Sequence, residues 1–232
     1  MKTKLFTIAM MVAFIMTAMT KVQAQNFEGP CLPSMHGLDD HQSAFCGSTV
    51  TQTIALSAGW NWFSMYIDMN EVDGLTMLEQ ALGDNAEMIK SKTLVDEFDG
   101  EEWYRDGDMA LTNEEMFMIY AVNACTVTLE GLVANPAEHQ IAINPGWNWI
   151  GYPCDEEVAI NVALSGFEPE DGDAIKCYNN IAEADGGEWY ADGEEMETLK
   201  PGQGYMYYSN SSQPKTLIFS TTAGDKSVFL RK

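Results

Sequence analysis

The chain has 232 residues and sets 12 basic against 35 acidic side chains, a formal net charge of −23 at pH 7. That balance excludes a nucleic-acid or anionic-membrane surface built on clustered Lys and Arg. An apolar share of 46% excludes a disordered chain and is enough for packed cores.

Residues 1–24 read as an export signal. Lys2 and Lys4 form the charged start, Leu5 to Ala18 the apolar stretch, and Val22-Gln23-Ala24 the small-residue cleavage site, which places the mature start at Gln25. The apolar stretch is shorter than a bilayer span, and no later segment is long and apolar enough to be one. No Cys follows the cleavage point directly, so a lipid anchor is not expected. The protein is therefore expected to be exported, to the periplasm, the cell surface or beyond. Lys2, Lys4 and Lys21 leave with the signal, so nine basic residues face 35 acidic ones and the net charge becomes −26.

Residues 25–49 hold Cys31, Cys46, His36 and His41. In an exported protein a Cys31–Cys46 disulfide closing a short loop is a plainer reading than a metal site, and no metal is expected.

From residue 50 onward the chain is written twice. Gly59-Trp60-Asn61-Trp62 returns as Gly146-Trp147-Asn148-Trp149, and Ile89-Lys90 returns as Ile175-Lys176. Asp99-Gly100 answers Asp185-Gly186, Glu102-Trp103-Tyr104 answers Glu188-Trp189-Tyr190, and Asp106-Gly107 answers Asp192-Gly193. Met118, Tyr120 and Thr128-Leu129 answer Met206, Tyr208 and Thr216-Leu217. The offset drifts only between 86 and 88, a period that suits a small domain in tandem rather than a solenoid unit. The expected modules are 50–133 and 138–220, with a C-terminal tail over 221–232 that adds one strand through Val228-Phe229-Leu230.

Within a module the pattern predicts short strands. Ile54, Leu56, Trp60 and Trp62 share one parity, which places the GWNW rings with the core. Asn144-Pro145-Gly146-Trp147 has the Pro and Gly of a type II turn, so GWNW starts just after a hairpin turn. Both Trp rings then share one face, and Asn61 or Asn148 lies on the other, bonded to backbone at the strand edge. Leu75, Leu78 and Leu82 are spaced for one helical face, as are Ile160, Ala163, Leu164 and Phe167. The Asp-Gly turns predict a hairpin around each Glu-Trp-Tyr segment. Strands over Phe117 to Val122 and Cys125 to Leu129 close the first module, and Pro201-Gly202-Gln203-Gly204 opens the last part of the second. The fold class expected is α+β leaning to mainly β: two tandem duplicated modules, each an antiparallel sheet with one short helix.

Five cysteines follow the signal, an odd number. Cys154 and Cys177 are both present in the second module, and the first has Ile67 and Ser91 in their places. Paired gain or loss is what a disulfide produces, so Cys154–Cys177 is the expected bond, and Cys125 has no obvious mate.

The order GWNW, short helix, Ile-Lys, Glu-Trp-Tyr, Pro-Gly-Gln-Gly-Tyr-Met-Tyr-Tyr-Ser and Thr-Leu-Ile-Phe resembles a tandem repeat module of secreted and cell-surface proteins from Bacteroidota-type bacteria. The resemblance covers about residues 50–220. It departs at Asn113 to Phe117, where Asn-Glu-Glu-Met-Phe replaces the Pro-Gly-Gln-Gly-Tyr turn. It implies an exported interaction or scaffold module and brings no catalytic residues.

The residues on their own point the same way. His36, His41 and His139 occupy no matched positions, and no Gly-x-Ser-x-Gly or His-Glu-x-x-His motif occurs. No enzyme activity and no cofactor are expected, and an enzyme with its site between the repeats is the third-placed reading. The acidic stretches Asp96 to Glu101 and Glu168 to Asp173 lack the spacing of an EF-hand loop. The expected function is a binding or adhesion-type module whose aromatic hairpins, Trp103-Tyr104 and Trp189-Tyr190, take a polysaccharide or a surface protein. A structural scaffold in a surface assembly is the alternative. Adjacent residues on a strand point opposite ways, so at most one of each Trp-Tyr pair serves the core.

Overall fold

The computed structural model describes residues 49–69 and 73–221. The export signal, the Cys31–Cys46 pair, His36, His41 and the tail strand at Val228-Phe229-Leu230 lie outside the described residues. Among those described, no helix is long and apolar enough to cross a membrane.

The architecture is mainly β, with every strand pairing antiparallel. The first half contains β1 (Thr49–Leu56), β2 (Gly59–Phe63), β3 (Ile67–Asp68), helix α1 (Gly74–Leu82), β4 (Ala86–Lys90), β5 (Val95–Phe98), β6 (Trp103–Arg105), β7 (Phe117–Ala121) and β8 (Cys125–Val133). The second contains β9 (Ile141–Ile143), β10 (Gly146–Ile150), β11 (Val158–Ala159), helix α2 (Ile160–Ala163), β12 (Ala174–Lys176), β13 (Ile181–Asp185), β14 (Glu188–Asp192), β15 (Thr198–Leu199), β16 (Tyr205–Ser209) and β17 (Lys215–Leu217). Each half builds a five-stranded sheet in the same spatial order: β2-β7-β4-β5-β6 in one and β10-β16-β12-β13-β14 in the other. Strands β1 and β8 pair beside the first sheet, with β3 on the far side of β8, and β9 and β17 pair beside the second.

Each half has its own buried cluster. One is centred on Phe63, Leu75, Leu78, Leu82, Ile89, Phe117 and Ile119. The other is centred on Ile150, Tyr152, Ile175, Trp189, Tyr205 and Tyr207. The helical face read from Leu75, Leu78 and Leu82 is fully buried, and Asp73 caps α1 by accepting from the Thr76 amide at 3.2 Å. In the second half the matching helix shrinks to one turn, with Ile160 and Ala163 still buried.

The turns before GWNW need glycine. Gly59 and Gly146 hold φ of 98° and 82°, which a side chain opposes. Asn61 then clamps its turn, accepting from the Ser57 amide at 2.9 Å and donating to the Ser57 and Gly59 carbonyls at 2.7 and 2.9 Å. Asn148 repeats these bonds on Asn144 and Gly146 at 3.0, 2.7 and 2.9 Å.

Three expectations need correction. The GWNW rings do not serve the core: Ile54 and Leu56 are buried, but the turn resets the phase, and Trp60 and Trp147 are 39% and 46% exposed. Phe63 and Ile150 fill the core positions instead. The Cys154–Cys177 bond is not formed. Both are buried in one cluster as free thiols, and Cys154 packs beside Tyr152, whose hydroxyl donates to the Glu156 carbonyl at 3.1 Å. Burial pushes the Cys154 thiol up to about 11, which keeps it protonated and unreactive. Cys125 is a partly buried free thiol on β8. Finally, the Asn113–Phe117 stretch, which departs from its counterpart in sequence, takes the same structural part.

That part is to join the halves. The Ser64 amide, just past β2, donates to the Gly202 carbonyl at 3.0 Å, and the Gly151 amide, just past β10, donates to the Glu114 carbonyl at 2.9 Å. Ser64 and Gly151 are matched positions, as are Gly202 and Glu114. The contact is therefore reciprocal. The Ser64 hydroxyl adds a bond to the Gln203 carbonyl at 2.8 Å. His139, in the linker, lies 3.1 Å from Asp68 and 2.8 Å from Glu114, so it fastens the crossing chain to the first half.

Beneath α1 lies a charged cluster. Arg105 bonds Glu79 through Nε at 2.8 Å and Nη2 at 2.9 Å, and reaches Asp73 through Nη1 at 2.9 Å. Asp96 is fully buried, with Arg105 Nε 3.8 Å away and no hydrogen-bond donor among the described residues. Burial pushes its pKa up to about 7, the Glu79 carboxylate adds to the rise, and Arg105 opposes it. The folded state thus binds a proton at Asp96 more tightly than the unfolded chain. This group's contribution is present in full below pH about 4 and is lost as pH rises through about 7. Asp96→Asn is expected to remove a downward slope of up to about 1.4 kcal/mol per pH unit from unfolding free energy between pH 4 and 7, measured by urea titration. Parallel profiles for the two proteins would show that Asp96 does not titrate there.

Candidate functional site

The site follows from strand parity. On β2, Trp60 and Trp62 point away from the core, while Asn61 and Phe63 point inward. Cross-strand register carries that outer face over the whole sheet. One row runs Trp60, Tyr120, Met88, Glu97, Tyr104, and the next runs Trp62, Met118, Lys90, Val95. The second sheet has the same two rows: Trp147, Tyr208, Ala174, Glu183, Tyr190, and Trp149, Met206, Lys176, Ile181. Five strands at about 4.8 Å make the first row of each sheet roughly 19 Å long, with an aromatic ring at either end.

The rings support one another. Trp60 meets Tyr120 edge-on with centroids 5.3 Å apart, and Trp147 meets Tyr208 at 5.2 Å. Between the two sheets the faces touch. Tyr178 stands edge-on to Trp62 at 5.6 Å. The Lys176 ammonium sits over Trp62 at 5.5 Å and over Trp147 at 5.3 Å, so a single cation joins a ring from each half. Lys92, the matched position of Tyr178, donates to the Trp147 carbonyl at 2.9 Å. A groove of about 660 Å³ opens alongside, lined by Trp60, Trp62, Tyr178, Lys200 and Gln203 among others.

The hairpin residues singled out from sequence divide between faces. Trp189 is buried against Tyr207 with centroids 5.7 Å apart, and Asn161 holds its backbone, accepting from the Trp189 amide at 2.8 Å and donating to its carbonyl at 3.0 Å. Trp103 is half-buried on Phe98 at 5.3 Å. Tyr104 and Tyr190 are exposed, at 53% and 60%. The Tyr104 hydroxyl donates to Glu102 at 2.8 Å, and that bond raises its pKa to about 12. Each hairpin thus contributes its Tyr, not its Trp, to the outer face, where it shares a row with Trp60 or Trp147.

Sequence reasoning missed Lys90, Lys92, Lys176, Lys200 and Tyr178. The signal for two of them was present, since Lys90 and Lys176 are matched positions with the parity of the outward Met and Tyr of the neighbouring strand. Lys92, Lys200 and Tyr178 lie in loops, where no periodicity marks them.

The acidic loops carry no open carboxylate cage. Asp99 Oδ1 accepts from the Glu101 and Glu102 amides at 2.8 and 3.0 Å. Asp173, fully buried, accepts from the Tyr207 hydroxyl and the Asn210 amide at 2.6 Å each, and from the Glu170 amide at 3.0 Å. These oxygens are committed to holding turns.

Comparison with protein-family models, with curated proteins and with solved structures finds no match to this chain.

Proposed function

We propose that the chain is an exported, duplicated two-module protein that binds a glycan on the outer faces of its two five-stranded sheets. The observation that carries this reading is the pair of matched rows on the outer faces, where the same Trp-Tyr order exposes Trp60 and Trp147 and the same Trp-Met-Lys order lies half-buried beside it. A scaffold calls for all six Trp inside. Here two stand 39% and 46% exposed, a cost in apolar surface that a soluble protein retains where the surface is used. Tryptophan and tyrosine faces fit the C–H face of a pyranose, and the polar groups in the same row, Glu97 or Glu183 and the Tyr hydroxyls, suit its rim of hydroxyls. A row roughly 19 Å long suits an extended chain of several sugars better than a single residue.

The test is affinity electrophoresis through gels cast with a panel of polysaccharides. Trp60→Ala/Trp147→Ala is expected to abolish retardation by the bound polymer, with an unchanged circular dichroism spectrum. Tyr104→Ala/Tyr190→Ala is expected to weaken it about tenfold, since an aromatic contact contributes about 1 kcal/mol or slightly more. Retardation unchanged in the Trp variant would remove the outer face as the site.

A further inference from the structure

The described residues hold six Lys and Arg side chains, and they fall into two groups. Arg105 and Lys215 are paired with carboxylates. Lys90, Lys92, Lys176 and Lys200 form no ion pair within the described residues, on a chain with 35 acidic side chains to choose from. All four lie on the aromatic surface. Lys90 follows Trp62 and Met118 in their row, Lys176 spans Trp62 and Trp147, Lys92 bonds the Trp147 backbone, and Lys200 lines the groove with Trp60 and Trp62. Glu115 is close enough to feel the charge of Lys92, yet no ion pair forms between them. Among the described residues the unpaired positive charge of a strongly negative protein thus coincides with its exposed rings.

An ammonium donates hydrogen bonds and accepts none, so a strip of Lys suits a ligand rich in acceptors and carrying negative charge. The acceptors that a sugar's hydroxyl protons need stand elsewhere in the rows, at Glu97, Glu183 and the Tyr hydroxyls, and the Lys strip supplies donors and positive charge only. Seating Lys176 on two ring faces fixes the ammonium while leaving its protons free to reach outward. We infer that the ligand is an anionic polysaccharide, its sugar rings stacked on Trp60, Trp62 and Trp147 and its carboxylate or sulfate groups held by Lys92, Lys176 and Lys200. This rests on the glycan reading above and adds the charge of the ligand to it. Carboxylates farther than about 8 Å are screened at working salt; Glu115, which feels the charge of Lys92, and Glu183, on the strand beside Lys176, offset part of the positive charge.

Matched polymers separate the two readings. The full chain is titrated with polygalacturonate and with its methyl-esterified form, and with dextran sulfate and with dextran, by isothermal calorimetry. One charged member is expected to bind at least about tenfold tighter than its neutral parent, as a charge-assisted contact implies. Which pair responds identifies carboxylate or sulfate. Lys92→Gln/Lys176→Gln is expected to lose about tenfold or more for that polymer. Lys215→Gln, whose parent Lys is already paired with Glu170, is expected to bind like the wild type. Equal affinity for charged and neutral members, or charged binding unaltered by the Lys92/Lys176 double change, overturns the anionic ligand and leaves the glycan reading standing. Failure to bind either member of both pairs, with no retardation anywhere in the wider panel, overturns the glycan reading itself.

Discussion

Gly151→Ala is expected to lower the melting temperature by about 10 °C. A Cβ at Gly151 would stand 2.1 Å from the Asn113 carbonyl oxygen, 2.9 Å from its carbon and 3.0 Å from the Glu115 oxygen. All three are backbone atoms, so no rotamer change relieves the clash. The only relief is for the Asn113–Glu115 stretch to lift away, which breaks the Gly151 amide bond to Glu114 and opens one side of the reciprocal contact. Overpacking of this kind costs about 3 kcal/mol, and a protein of this size loses roughly 2–4 °C for each of them. Gly166→Ala is the control, since its Cβ would meet nothing closer than 3.8 Å. It is expected to melt within about 2 °C of the wild type. A Gly151→Ala protein that melts with the control would mean that this contact adds nothing to stability.

Arg105→Met is expected to cost about 3 kcal/mol, because it leaves Glu79 and Asp96 facing each other in a buried site without a cation. The guanidinium is bonded to Glu79 through two nitrogens and to Asp73 through a third, so it ties the edge strand β6 to α1. The loss should be partly restored by adding Asp96→Asn, which removes the repulsion with Glu79. Urea midpoints of the single and double variants measure this coupling. Strict additivity would show that Asp96 and Arg105 do not sense each other. Because Tyr104 sits beside Arg105 on β6, the single change also loosens one end of the aromatic row.

Much of this was legible in the residues. The Leu75, Leu78, Leu82 spacing, the glycines before GWNW and the Asn clamps are local signals, and each appears where local chemistry placed it. The placement of the Trp rings was misread for a physical reason. Parity was counted through the turn from Leu56 to Trp60, as if strand phase survived a chain reversal, and it does not. Trp is so often a core residue that nothing in composition opposed the error. The Cys154–Cys177 pairing failed differently: presence in one half and absence in the other shows that two positions share a core, and a shared core is not a bond. The lysine strip was out of reach, because half of it lies in loops whose proximity depends on how the two halves meet.

The reciprocal contact between the halves has a consequence for polarity. If both halves came from one ancestral module, that module joined to itself would have been a symmetric dimer, obliged to place the same side chain at both ends of its central surface. Covalent linkage through residues 134–140 lifts that obligation. It has been used at the position where one half carries Lys92 on the Trp147 backbone and the other carries Tyr178 on Trp62. A symmetric surface accepts a linear polymer in either direction. A surface with Lys92 at one end and Tyr178, beside Lys200, at the other is not symmetric, so the polymer proposed above would lie across it in one preferred sense.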